Sequence, residues 1–192
     1  IGRNLSDTPY QLGIPNFRAR TKLFATNIMT GPFRGPVYTS NCFFLETFIN
    51  NCAETAKIDP VEYRRRLLAK FPDKGWLKAL DEVAQKANWG QTLPRGTAQG
   101  VAIGNWAMAN TSDGAPVPLS GSTVAAIVTV EVSRRGNVAI PRVDVAFDLG
   151  SVINPDAVRA QMEGGVMMGL SAALHEELSI SNGAIEIGRA HV

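Results

Sequence analysis

Close to residue 97 the spacing of apolar residues changes from helical to strand-like, and this change constrains the fold more than any single motif does. Before it lie three amphipathic runs. From about Ser40 to Lys57, the residues Phe44, Leu45, Phe48, Ile49, Cys52 and Ala56 recur at i, i+3 or i+4, which predicts a helix with one buried stripe. Asp59-Pro60 opens a second helix, because Asp caps a helix start well and Pro at the first position loses no needed N–H; it runs to about Lys70. A third, from Gly75 to Asn88, turns Leu77, Leu80, Val83, Ala84 and Ala87 inward and stops at Trp89-Gly90, with Leu93 to Thr97 as a connector. After the change, Gln99 to Met108, Thr123 to Ser133 and Asn137 to Phe147 read as strands, the last two joined by a turn at Arg134-Arg135-Gly136-Asn137. Asn110 to Gly121 reads as a long loop. Asn154-Pro155-Asp156 then opens a helix to about residue 175, and Ser181-Asn182-Gly183 marks a hairpin. Helices followed by strands, without regular alternation, predict an α+β fold: a three-helix segment, a mixed sheet region and a Gly-rich helix.

Composition narrows the functional classes. Nineteen basic residues against seventeen acidic ones leave a net charge of +2, too small for the electrostatic footprint of a nucleic-acid or membrane-surface protein. No apolar run reaches the roughly 18 residues of a membrane span. Cys42 and Cys52 offer no CxxC or Cys/His spacing for a metal, and the apolar residues between them point to packing as small hydrophobes, although one bridge is open to them. Residues 1–20 read as a loop-rich entry and Thr21 to Ile28 as one strand. A start at Ile1, with neither Met nor leader, marks a fragment or a processed product.

Two places could carry chemistry. Gln161-Met162-Glu163-Gly164-Gly165-Val166-Met167-Met168-Gly169 puts three glycines inside a helical pattern, each costing about 1 kcal/mol relative to Ala, so close approach of a backbone or a ligand is expected there. Packing of that helix on a sheet would also account for them. Gln161, one turn earlier, both donates and accepts, as the edge of a heterocycle requires, or is an exposed helix residue. The second place is Gly31-Pro32-Phe33-Arg34-Gly35-Pro36, where a guanidinium and backbone amides precede a helix and could hold an anion, or form a surface turn. Arg64-Arg65-Arg66 reads as a solvated helix face with a Glu62–Arg66 pair, Asp148 as a strand-end turn or an acid–base group, and His175 as a helix C-terminal residue.

Taken in order, these segments resemble the molybdenum-binding large subunit of the xanthine dehydrogenase and aldehyde oxidase family, most closely the bacterial isoquinoline 1-oxidoreductase beta-subunit type. Residues 31–36, Asn41 to Ile49 and Asp59-Pro60-Val61-Glu62-Tyr63-Arg64 are similar to that family's cofactor loop, helix and DP-x-E-x-R helix. Asp144 to Leu149, Asn154-Pro155 and Gln161 to Gly165 are similar to its second block. The resemblance implies a molybdenum–molybdopterin cytosine dinucleotide cofactor, lined by Phe33, Arg34 and Gly35 and approached by Gln161, Gly164 and Gly165. It implies a partner subunit with [2Fe–2S] clusters, a small aromatic heterocycle or aldehyde as substrate, and a bacterial cytoplasmic or periplasmic setting. Pro36 stands where xanthine dehydrogenases carry an aromatic that packs on purine, which argues against a xanthine preference. The family's general base, a glutamate, is expected beyond Val192, so Glu163, Glu176 and Glu177 are not given that role.

The resemblance divides the chain into the end of a first molybdopterin-binding domain, 1–95, and the start of a second, 96–186. Residues 187–192 look like a translated sequencing adapter, hence a non-native tail; the alternative is a disordered terminus. The rival functional classes are a non-catalytic α+β binding or structural module and an enzyme acting through Cys42 or Cys52. The first has Arg34 and Gln161 far apart, and the second needs an exposed, activated thiol.

Overall fold

The structure is a computed structural model that describes residues 8, 10, 13–16, 18, 20, 22, 31, 34–36, 38–71, 74–106 and 122–185. The expected strand at Thr21 to Ile28, apart from Lys22, and the loop at Asn110 to Gly121 lie outside the described residues, as do Phe33 and the suspected tail at 187–192. Two compact units are present, Ile1–Thr21 with Gly35–Gly150, and Lys22–Arg34 with Ser151–Val192.

The first unit holds three helices, α1 (Tyr38–Ala56), α2 (Pro60–Leu68) and α3 (Gly75–Lys86), followed by β1 (Thr97–Trp106), β2 (Ser122–Val132) and β3 (Val138–Asp148). The strands form one antiparallel sheet in the order β1-β2-β3, with Val101 opposite Ile127 and Ala125 opposite Ala146. Strand β2 is central and alternates strictly, with Thr123, Ala125, Ile127 and Thr129 buried on one face. Helix α3 lies against β2 and β3, and α1 against β1. Trp76, Leu80 and Val83 of α3, Val61 and Leu68 of α2 and Ile49 of α1 close the core together with Val101, Ile103, Ala125, Ile127 and Ala146. The turn at residues 134–136 joins β2 to β3, with Gly136 at φ +82° and its N–H donating to the Ser133 carbonyl at 2.9 Å.

Helix α2 starts as the Asp-Pro pair requires: Asp59 Oδ1 accepts the N–H groups of Val61 and Glu62 at 2.9 and 3.0 Å. The other carboxylate oxygen accepts the Trp89 Nε1–H at 2.8 Å, so one side chain both caps α2 and fixes the turn that ends α3.

Two expectations about helix faces are corrected. The stripe assigned to the interior of α1 is divided: Ile49 is buried and Leu45 and Cys52 half-buried, but Phe44 and Phe48 are more than 60% exposed, Ala56 is exposed, and Glu46 and Ala53 are buried in their place. The helix turns a carboxylate inward because the interior supplies donors for it. The arginine run is likewise divided. Arg65 and Arg66 form exposed ion pairs with Asp81 and Glu62, whereas Arg64 is fully buried.

The second unit holds α4 (Pro155–Leu174) and a short hairpin, β4 (Ile180–Ser181) with β5 (Ala184–Ile185). Asn154 caps α4 by accepting the Ala157 N–H at 3.0 Å. Asn182 and Gly183 both take positive φ, +50° and +77°, as a two-residue hairpin turn demands. No residue of α4 is buried.

Candidate functional site

Gln161 lies in the second turn of α4, and Arg34 comes from a loop 127 residues earlier in the chain. Arg34 Nη2 donates to the side-chain Oε1 of Gln161 at 2.6 Å and to its main-chain carbonyl at 3.2 Å. A guanidinium carries only donors, so the oxygen of the Gln161 amide must face it. One turn further on, Gly164 sits beneath the same side chain: a Cβ built there would lie 3.8 Å from Arg34 Nη1. At Gly165 and Gly169 a Cβ would meet nothing within 4 Å.

The residues expected to surround a cofactor are thus partly brought together. Arg34, Gln161 and Gly164 are in mutual reach, and Gly165 is the next residue along the same helix with an open face. Gly35 takes φ +69°, and its carbonyl accepts both the N–H and the hydroxyl of Thr39 at 3.1 Å, which anchors the chain entering α1. A side chain there would be strained and would press on Thr39 Oγ1. Phe33 lies outside the described residues. A guanidinium held by Gln161 over Gly164 fits a flat, anion-bearing group, since Arg supplies planar donors and glycine lets a ring approach the backbone.

A polar cluster that the sequence pattern did not reveal lies inside the first unit. Glu46 is 4% exposed and receives four hydrogen bonds: from Tyr10 Oη at 2.8 Å, Arg64 Nε at 3.0 Å, Arg64 Nη2 at 2.8 Å and the Ile103 N–H at 2.8 Å. Arg64 also donates to the Pro60 carbonyl at 3.1 Å. Burial holds the Glu46 carboxyl above the usual carboxylate range, while Arg64 and the donors pull it down. Burial, reinforced by Glu46, likewise pushes the Tyr10 hydroxyl well above its ordinary value. One signal in the sequence pointed here. Arg64 falls on the Val61–Leu68 spacing of the buried α2 face, and an arginine on such a face needs a carboxylate opposite.

The remaining candidates resolve as structural groups. Cys42 and Cys52 are free and half-buried. Cys42 Sγ donates to the Ile103 carbonyl at 3.4 Å, and burial pushes its thiol up to about 12, which disqualifies it as a nucleophile at neutral pH. Asp148 accepts the Gly150 N–H at 3.0 Å in a strand-end turn, and His175 is the exposed C-cap of α4. Surface depressions of about 210 Å³, beside Lys78, Glu82 and Asp148, and about 410 Å³, beside Arg95, Glu131 and Asn137, contain none of the expected site residues. Among the described residues no group of three His, Cys, Asp or Glu could hold a metal, and no helix is long and apolar enough to cross a membrane.

An α+β chain whose loop arginine is tied to a glycine-bearing helix falls in the class of cofactor-binding domains. The chain belongs to the molybdopterin cofactor-binding domain family: one model with that description matches residues 47–189 and a second matches residues 2–68. It is 31% identical over 150 residues to the beta subunit of isoquinoline 1-oxidoreductase from Brevundimonas diminuta, covering 78% of this chain and 18% of that protein. It is 31% identical over 191 residues to membrane-bound aldehyde dehydrogenase [pyrroloquinoline-quinone] of Gluconacetobacter polyoxogenes, covering 91% of this chain and 23% of the relative. With the B subunit of nicotinate dehydrogenase from Pseudomonas putida it shares 32% identity over 157 residues, 79% of this chain and 13% of the relative. The chain therefore spans less than a quarter of the length of these relatives. No solved structure matches it significantly.

Proposed function

We propose that this chain is the part of a molybdenum hydroxylase large subunit that helps hold a molybdopterin, in its cytosine dinucleotide form, with Arg34, Gly164 and Gly165 as its contact surface and Gln161 beside them, bound to Arg34. Phe33 and the turn at Gly35 flank the arginine in the chain. The observation that carries this reading is the Arg34–Gln161 contact beside Gly164, which joins two blocks of sequence 127 residues apart at the face of α4 that carries the glycines. When bound, the group would supply the molybdenum centre for a two-electron oxidation. The chain's own residues bind and orient: the guanidinium offers donors to phosphate or other anionic groups, and the open glycine face admits a planar ring against the helix. The division into an end of one molybdopterin-binding domain, 1–95, and the start of another, 96–186, belongs to the same proposal.

The whole protein, on this reading, hydroxylates an N-heteroaromatic compound or oxidises an aldehyde, takes the oxygen from water and passes two electrons to a partner subunit carrying [2Fe–2S] clusters. The names of the three relatives, which specify isoquinoline, nicotinate and aldehyde oxidation, support that substrate range. The test is elemental and pterin analysis of the full-length protein purified with its native partners. About one molybdenum and one pterin per large subunit are expected; their absence from correctly folded protein overturns the proposal.

A further inference from the structure

We infer that Gln161 is a positioning residue for Arg34: its amide oxygen fixes the guanidinium, and through it the loop, so that Gln161 acts on the cofactor through Arg34 rather than as a direct ligand. This deepens the functional proposal above and rests on it. The geometry is asymmetric in an informative way. One guanidinium nitrogen, Nη2, engages both the side-chain oxygen at 2.6 Å and the main-chain carbonyl of the same residue at 3.2 Å. The shorter contact is that of a strong, charge-assisted hydrogen bond. Both oxygens of Gln161, side-chain and main-chain, are directed at Arg34, so the contact that the structure shows for this residue is with the guanidinium. The main-chain contact sets the height of the guanidinium along α4, and the side-chain contact sets its direction. Gly164 completes the seat, because a Cβ there would already touch Nη1 at 3.8 Å. Arg34 ends the Gly31–Arg34 part of the loop within the same unit as α4, so the pair ties that segment to the helix.

The positioning role and the direct-ligand role predict opposite results for one substitution. Gln161→Glu keeps the accepting oxygen and adds a charge that favours Arg34, whereas it removes the amide donor and would repel an anionic cofactor. The experiment uses the full-length protein in three forms, wild type, Gln161→Leu and Gln161→Glu, with two readouts. The first is the rate of tryptic cleavage after Arg34, followed by mass spectrometry. The second is pterin content, read as the fluorescence of the oxidised pterin released on denaturation. The expected result is that Gln161→Leu speeds cleavage at Arg34 several-fold and lowers pterin content at least fivefold, while Gln161→Glu stays within about twofold of wild type in both. Wild-type behaviour of Gln161→Leu in both readouts overturns the inference. So does a Gln161→Glu protein that keeps slow cleavage but loses its pterin, because Gln161 then acts on the cofactor directly. A wild-type protein without pterin removes the functional proposal, and the cleavage readout still decides whether Gln161 holds Arg34.

Discussion

At the scale of single residues, the molecule buries its most expensive group where the sequence suggested an oily stripe. Glu46 and Arg64 are both withdrawn from water, and their ion pair of 2.8 Å is supported by Tyr10 and the Ile103 N–H. Such a pair is weak evidence of net stabilisation, yet removing one partner strands a buried charge. Glu46→Leu and Arg64→Met are therefore each expected to destabilise the protein by about 3–5 kcal/mol, and the double variant Glu46→Leu/Arg64→Met, compared with wild type, by much less than the sum of the two single losses. Urea unfolding of the four proteins measures this, and additive losses would show that the pair is not coupled. Cys42 gives a second prediction. Its folded-state value of about 12 exceeds the unfolded value of about 8.5, so at pH 8 the thiolate fraction falls by roughly a thousandfold and alkylation slows accordingly. The linkage sign follows: the folded protein keeps a proton that the unfolded chain loses, so stability is full below about pH 8.5 and declines as pH rises towards about 12. Cys42→Ala should flatten that decline between pH 8.5 and 9.5, below the range where Tyr10 contributes in the same direction. An unchanged slope would count against it. These residues were hard to read because side-chain pairing across elements leaves almost no periodic trace: nothing in the spacing around Glu46 shows that Arg64, eighteen residues on, is its partner.

At the scale of elements, the sequence was far more legible, because helix starts, turns and strand alternation are local. Asp59-Pro60 and Asn154-Pro155 cap α2 and α4 where expected, the three strands lie within two residues of their expected positions at each described end, and Asn182-Gly183 makes the hairpin turn. The facing of α1 was not local, and only half of its expected stripe points inward. Its apolar residues outnumber what its inner face can use, so Phe43, Phe44 and Phe48 stay exposed. Asp59 is the element-level residue with the most to lose, since its two oxygens serve the start of α2 and the Trp89 indole. Asp59→Ala is expected to destabilise by about 1–2 kcal/mol for the cap, with a change in Trp89 fluorescence that Asp59→Asn should largely avoid. Equal loss in both variants would mean that capping is not what the carboxylate contributes.

At the scale of the whole molecule, α4 contradicts the economy of the rest. Several glycines elsewhere answer a turn, as at Gly136 and Gly183, or a close backbone approach, as at Gly13, where a Cβ would run into the Leu67 carbonyl oxygen. In α4, Gly165 has helical backbone, and among the described residues nothing lies within 4 Å of a Cβ placed there. The composition of this helix could be read from the sequence, but its purpose could not, because sheet packing and ligand packing demand the same small residues. Among the described residues nothing meets a Cβ at Gly165, so without a bound group glycine there only weakens the helix. Gly165→Ala should therefore stabilise the cofactor-free protein by roughly 1 kcal/mol, raising its melting temperature. Gly165→Leu should gain a similar helix preference, yet lower the pterin content of the full-length protein several-fold by occupying the face beside Arg34. Thermal unfolding of the stripped protein and pterin analysis of the loaded one separate the two effects. If Gly165→Leu carries a full complement of pterin, the glycine face of α4 is not where the cofactor lies.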